Sequence, residues 1–246
     1  MLPDYSVLAW GLIIASTFLT GVSKGGFAGG FGSISVPLMA LAIGPMEAAG
    51  LLLPLLLVMD IFAVKAWRGQ HDRQELRRLV PGLVLGVAIG TGLVGILEED
   101  HVRLLLGGVS LLFVAYMLVK PVASKPIRTF WAWPAGIGVG ITSFLAHAGA
   151  PPLNLYLVPR RLPKSSYLAT ATMAFAAVNV LKLPPYLWLG EINLISTWAS
   201  LILVPVAWLG VRSGLWLQSR LDEQFFYRLV ILAMAIVGVQ LIIKAI

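Results

Sequence analysis

The sequence predicts an all-α polytopic membrane protein. It reads as two inverted-topology repeats of about five segments each, with broken or re-entrant helices at the start of each repeat. Three observations carry this. Of the 246 residues 59% are hydrophobic and 12% charged, with a mean hydropathy of +0.90, whereas soluble domains carry about 25% charged residues. The basic residues gather in four loops. The pattern of the first half returns in the second with the sides exchanged.

Apolar stretches fall at roughly 5–22, 27–43, 46–66, 79–97, 104–120, 131–147, 149–159, 165–188, 194–213 and 228–245. Several approach the ~20 residues that a spanning helix needs. The first, in "MLPDYSVLAWGLIIASTFLTG", lacks a basic leader region and carries Asp4, so it is expected to be a retained helix rather than a secretory signal. Two stretches are unsuited to a continuous span: 27–43 is rich in glycine, and 149–159 is short and starts at "GAPP". Helix breakers at membrane depth are tolerated where protein or a water-filled cavity covers the backbone, so these two are expected as half-helices or re-entrant pieces.

Lys65, Arg68, Arg73, Arg77 and Arg78 mark one loop, and Lys120, Lys125 and Arg128 a second; Arg160, Arg161 and Lys164 mark a third, and Arg212, Arg220 and Arg228 a fourth. The positive-inside rule places all four in the cytoplasm. Both termini, the turn near Pro45, "EEDH" at 98–101 and "GEIN" at 190–193 then lie outside. The net charge of +7 is a loop asymmetry, not a nucleic-acid surface. "RGQHDRQELRRL" reads as a short cytoplasmic surface helix. The eight tryptophans, Trp10, Trp67, Trp131, Trp133, Trp188, Trp198, Trp208 and Trp216, read as headgroup belts. With no cysteine in the chain, disulfides and thiolate metal sites drop out.

The halves, 1–120 and 121–246, echo each other. "GSISVPL" at 32–38 aligns with "GAPPLNL" at 149–155; Asp60 then falls on Asn179, and Gly69 on Gly190. Five segments per half put the second half in the opposite orientation. Inverted repeats are typical of secondary transporters, whose substrate site lies near the bilayer midplane, where discontinuous helices point their ends at the ligand.

"GVSKGGFAGGFGSISVPLMAL" with "LLLPLLLVMDIFAVKAWRG", and "SFLAHAGAPPLNLYLVPRRL" with "AAVNVLKLPPYLWLG", closely resemble the sulfite exporter TauE/SafE family over nearly the whole chain. Its G-x-x-x-x-P-L pattern near the start of each half is present in the first copy; in the second, Asn154 stands where the proline would be. The resemblance implies an inner-membrane permease for sulfite, organosulfonates or related small anions.

Lys24 is the first candidate for such a site. It precedes "GGFAGGFG", whose glycines let backbone N–H groups approach a ligand, and a following half-helix would present unpaired donors and a positive dipole end. The expected substrate-binding set is Lys24, Gly25, Gly26, Gly29, Gly30, Ser33, His147, Gly149, Asn154 and Asn179. The competing roles are snorkelling for Lys24, helix packing for the glycines, and interhelical hydrogen bonding for the asparagines. Ser23, Ser35, Thr142 and Ser143 are further possible donors, or cap their own backbones. Asp60 and His147 are the candidates for carrying a coupling ion or proton. An intramembrane carboxylate is a functional candidate by default, and imidazole titrates near neutral pH. Asp60 could also pair with Lys24, or be exposed at the interface, since it lies near the end of its helix. Lys182, in "LKLPP", reads as an outer-end snorkel or vestibule charge.

The leading expectation is a secondary transporter, with a small anion and the lipid bilayer as partners, a proton or sodium ion as possible coupling ion, and no cofactor, metal or nucleic acid. The absence of a Walker-type loop argues against direct ATP coupling. A membrane-embedded enzyme or a carboxylate permease is the alternative; an enzyme usually needs more clustered titratable residues than His147 and Asp60 supply.

Overall fold

In the computed structural model, the described residues are 5–29, 39, 43, 45–94, 96, 98–119, 127–190, 192 and 194–246. Every regular element among them is helical: α1 (Val7–Gly26), α2 (Pro45–Ala66), α3 (Arg73–Leu93), α4 (Glu99–Val119), α5 (Ala132–Ala146), α6 (Ala150–Leu157), α7 (Lys164–Trp188), α8 (Leu194–Arg220) and α9 (Glu223–Ala245), with 3-10 turns at Thr129–Trp131 and Val158–Arg160. Among the described residues five spans are long and apolar enough to cross a membrane: Val7–Gly26, Arg73–Leu93, Lys164–Trp188, Thr197–Arg220 and Tyr227–Ala245.

Side-chain caps set several helix starts. Ser6 Oγ accepts from the Ala9 N–H at 3.2 Å, Asp72 from the Gln74 and Glu75 N–H groups at 2.9 and 3.0 Å, and Asp222 from the Phe225 N–H at 2.9 Å. Each satisfies backbone donors that the first turn leaves open. Because Asp72 caps α3, "RQELRRL" forms the first turns of that long helix, not the separate surface helix its charge suggests. At the other end of a helix, His147 takes the left-handed conformation (φ 50°) and closes α5.

The helices pack through small residues. In lipid no hydrophobic effect draws helices together, so close backbone approach and van der Waals contact do so. At the α1–α8 crossing, a methyl on Gly21 would lie 2.8 Å from Ala207 O, and one on Gly25 would run into Val211 O. At the α3–α5 crossing, a methyl on Gly86 would lie 2.9 Å from Gly140 Cα and would also strike Ile137 O. α2 packs against α7 and α8, α7 also against α3, and α9 along α4.

Among the described residues two large buried clusters result, with a small third at Ala148 and Leu241. Ile13, Leu51, Leu52, Leu55, Met59 and Leu203 form one, around α2 and α8. The larger joins α3, α5, α6, α7 and α9 through residues such as Leu83, Phe144, Leu153, Tyr167 and Val230. Most of the tryptophans expected in belts are exposed, but Trp67 is buried and donates from Nε1 to Gly25 O at 3.2 Å. Its indole joins the end of α2 to the end of α1.

Candidate functional site

Four helices converge on one polar centre within the apolar bundle. α1 carries Lys24 into it on its last turn. α2 supplies Asp60, which is 4% exposed. One Asp60 oxygen pairs with the Lys24 ammonium, and the other accepts from Asn179 Nδ2 of α7 at 2.6 Å. One turn further along α7, Lys182 is fully buried. Its Nζ donates to Ser143 O at 3.0 Å and Ser143 Oγ at 3.2 Å, and lies 2.9 Å from His147 Nδ1. Tyr186 braces the end of α5 by donating to Phe144 O at 2.7 Å.

Lys24, Gly29, His147, Gly149 and Asn179 line one cavity of about 40 Å³ together with Ser143 and Phe175. At about 10–15 Å³ per water, it has room for a few waters. Phe175 adds an aromatic face, its ring centre 6.0 Å from Lys24 Nζ. Thr20 and Thr142 donate their hydroxyls to Ser16 O at 2.8 Å and Gly138 O at 2.7 Å, so their protons serve their own helices.

Several sequence expectations take a different form. Gly25 and Gly26 are helical and lie against Val211 and Gly214 of α8, the packing role glycine also has. Asn154 is fully buried on α6, where its Oδ1 accepts from Tyr167 at 2.7 Å and its Nδ2 has no partner among the described residues. Gly30, Ser33 and Ser35 lie outside the described residues. Asp60 is buried rather than interfacial. Lys182 is not an outer-end snorkel: α7 passes through the bundle, and the end of α5 closes over the amine. The prolines and Trp188 that follow in sequence suggested an interface. The signal that pointed inward was the one-turn spacing from Asn179, which sets both side chains on one face.

A second buried carboxylate lies away from this cavity. Glu75, 2% exposed, accepts from Tyr156 at 2.5 Å, from Arg160 at 2.6 and 3.1 Å, and from Arg78 at 2.7 Å. Arg160 also donates to Ile127 O at 2.9 Å. Charge-assisted bonds of this kind tie α3, α6 and the segment before α5 into one unit.

Among the described residues the polar centre holds two amines, one carboxylate, one imidazole and one carboxamide, in a bundle of membrane-spanning length. No group of three or more His, Cys, Asp and Glu side chains among the described residues is disposed to hold a metal ion. A family model described as "Sulfite exporter TauE/SafE" matches residues 13–241. This chain belongs to the sulfite exporter TauE/SafE family. No curated protein and no solved structure matches it. As a member of the TauE/SafE family with five apolar spans, it is a multi-pass membrane protein of a transporter family. The match runs through all the residues named around the cavity.

Proposed function

We propose that this TauE/SafE protein is a secondary transporter of small anions such as sulfite or organosulfonates, working by alternating access in the cell inner membrane with both termini outside. The observation that carries this reading is the imbalance of the polar centre. Lys24 is largely and Lys182 fully buried, and among the described residues one carboxylate, Asp60, lies among the hydrogen-bond partners of the two amines. Burying cationic groups is unfavourable unless they are paired. An oxyanion in the adjoining cavity would supply the missing negative charge, with Ser143, Asn179 and the Gly149 backbone at its rim.

The two-repeat reading, 1–120 and 121–246, is supported by contacts that recur at a constant shift. Asp60 and Asn179 are 119 positions apart and bond to each other, as equivalent residues beside a two-fold axis would. The same shift carries Trp67 and Gly25, which share a hydrogen bond, onto Tyr186 and Phe144, which share another. Phe18 O and Gly21 Cα, which face Gly210, map at this shift onto Ile137 O and Gly140 Cα, which face Gly86, while Gly86 and Gly210 themselves are 124 positions apart. Asp60 is the sixteenth residue of α2, and Asn179 the sixteenth of α7. Each is therefore about 22 Å along its helix at 1.5 Å per residue. With α2 and α7 running in opposite directions, the pair falls near mid-membrane. Proton coupling through Asp60 or His147 completes the proposal: an anion arriving at Lys24 competes with the Asp60 carboxylate, and protonation of that carboxylate would release the amine.

Flux of labelled sulfite into proteoliposomes, with imposed pH or sodium gradients, tests the reading. Saturable flux that follows the pH gradient is expected. Absence of saturable flux for sulfite and for a panel of small sulfonates and carboxylates would overturn the transporter assignment, and indifference to pH would remove the proton.

A further inference from the structure

One face of α8 changes character along its length. Glycines 210 and 214 hold the opposite face against α1. On the outward face, Leu201, Ile202 and Leu209 are exposed apolar residues. They give way to Trp208, Arg212, Trp216 and Arg220, spaced four residues apart and therefore stacked on one side of the helix. The guanidinium of Arg212 lies 5.4 Å from the Trp208 ring centre, and that of Arg220 lies 5.4 Å from the Trp216 ring centre. Both tryptophans are exposed, at 41% and 59%. Among the described residues neither arginine has a carboxylate partner.

Depth decides what this face meets. Arg212 lies eighteen residues beyond Leu194, the first residue of α8, or about 27 Å at 1.5 Å per residue. That is close to the edge of a hydrocarbon core about 30 Å thick. Arg220 lies about 12 Å further along the helix. The apolar part of the face thus runs through the acyl region, and the first guanidinium stands at the headgroup boundary. A soluble protein partner would reach the arginines but not the leucines, whereas a ligand with an apolar tail and an anionic head matches both. Tryptophan is favoured at this depth, and here each ring backs a guanidinium, leaving its N–H donors for phosphate oxygens.

We propose that the Trp208–Arg212–Trp216–Arg220 face of α8 is a binding site for an anionic phospholipid, with the lipid phosphate on the guanidinium groups and the acyl chains along Leu201, Ile202 and Leu209. The site lies on the outer surface of the bundle and stands apart from the transport reading of the polar centre.

The test compares purified wild-type protein, Arg212→Gln/Arg220→Gln and the charge-matched control Arg68→Gln/Arg73→Gln. Each is taken through thermal unfolding in detergent with added phosphatidylglycerol, phosphatidylcholine or inorganic phosphate, and retained lipid is counted by native mass spectrometry. Phosphatidylglycerol is expected to raise the midpoint of the wild type and the control and to remain bound to both. The α8 variant should keep its midpoint in phosphatidylcholine but lose at least half of the phosphatidylglycerol shift and the retained lipid. An equal shift in the α8 variant would overturn the proposal. So would an equal loss in the control, which means general surface charge, or an equal shift with inorganic phosphate, which means a free-anion site.

Discussion

Asp60 and Asn179, on α2 and α7, share a hydrogen bond of 2.6 Å although 119 positions separate them in the chain. The other Asp60 oxygen holds Lys24. One carboxylate thereby ties together a helix end and the middles of two long helices, and the stability of the polar centre depends on it.

Replacing Asp60 with Asn is expected to destabilise the protein by about 3–5 kcal/mol, because it leaves the Lys24 charge buried without its counter-charge. The double variant Lys24→Met/Asp60→Leu should recover most of that loss, since an apolar pair of similar volume needs no compensation. Thermal or denaturant unfolding in detergent compares the three proteins. A single variant as stable as the wild type would show that the pair contributes nothing net.

The glycine crossings make a second prediction. A methyl at Gly25 meets Val211 O, and one at Gly140 meets the Gly86 backbone. Gly25→Ala and Gly140→Ala should each cost about 1–3 kcal/mol through overpacking against backbone that cannot yield. Gly11 sits in α1 with open space around it. Gly11→Ala should be neutral or stabilising by up to about 1 kcal/mol, through the better helix propensity of alanine. Unfolding midpoints of the three variants are the readout, and similar values for all three would refute the crossing geometry.

Glu75→Gln tests the second buried carboxylate. It weakens the bonds from Tyr156, Arg160 and Arg78 and leaves two guanidinium groups without their anion. A loss of about 3–5 kcal/mol is expected. Asp100→Asn, which breaks the exposed pair with Arg103, should cost at most about 1 kcal/mol. The difference between the two midpoints measures how far burial decides the strength of these pairs.

Much of the helical order could be read from the chain, because long apolar stretches and clustered arginines report directly on spans and loops. The correspondence of Asp60 with Asn179 was also visible, although no spacing rule says that repeat mates touch. Lys182 was misread because hydropathy is local: "LKLPP" looks like a helix end, while the groups that receive its amine, Ser143 and His147, come from another helix. Glu75 was hidden for the same reason. It sits in a charged run that reads as surface, and its partners Tyr156 and Arg160 lie 81 and 85 residues away. Glycine was ambiguous in a different way. The same residue serves a backbone ligand site and a close helix crossing, and only the position of α8 assigns Gly25 and Gly26 to the crossing.

The central claim is that Lys24 and Lys182 together supply the charge for an anion. Titration of sulfite into purified protein, followed by calorimetry or by the ligand-dependent rise in unfolding midpoint, tests it most directly. Each charge-assisted hydrogen bond contributes about 1.5–3 kcal/mol, so Lys24→Met, which removes the amine that lines the cavity, should weaken binding by about ten- to a hundredfold while the protein still folds; Lys182→Met, whose amine is bonded to Ser143 and lies against His147, should weaken it less. Sulfite affinity unchanged in both variants would contradict the account.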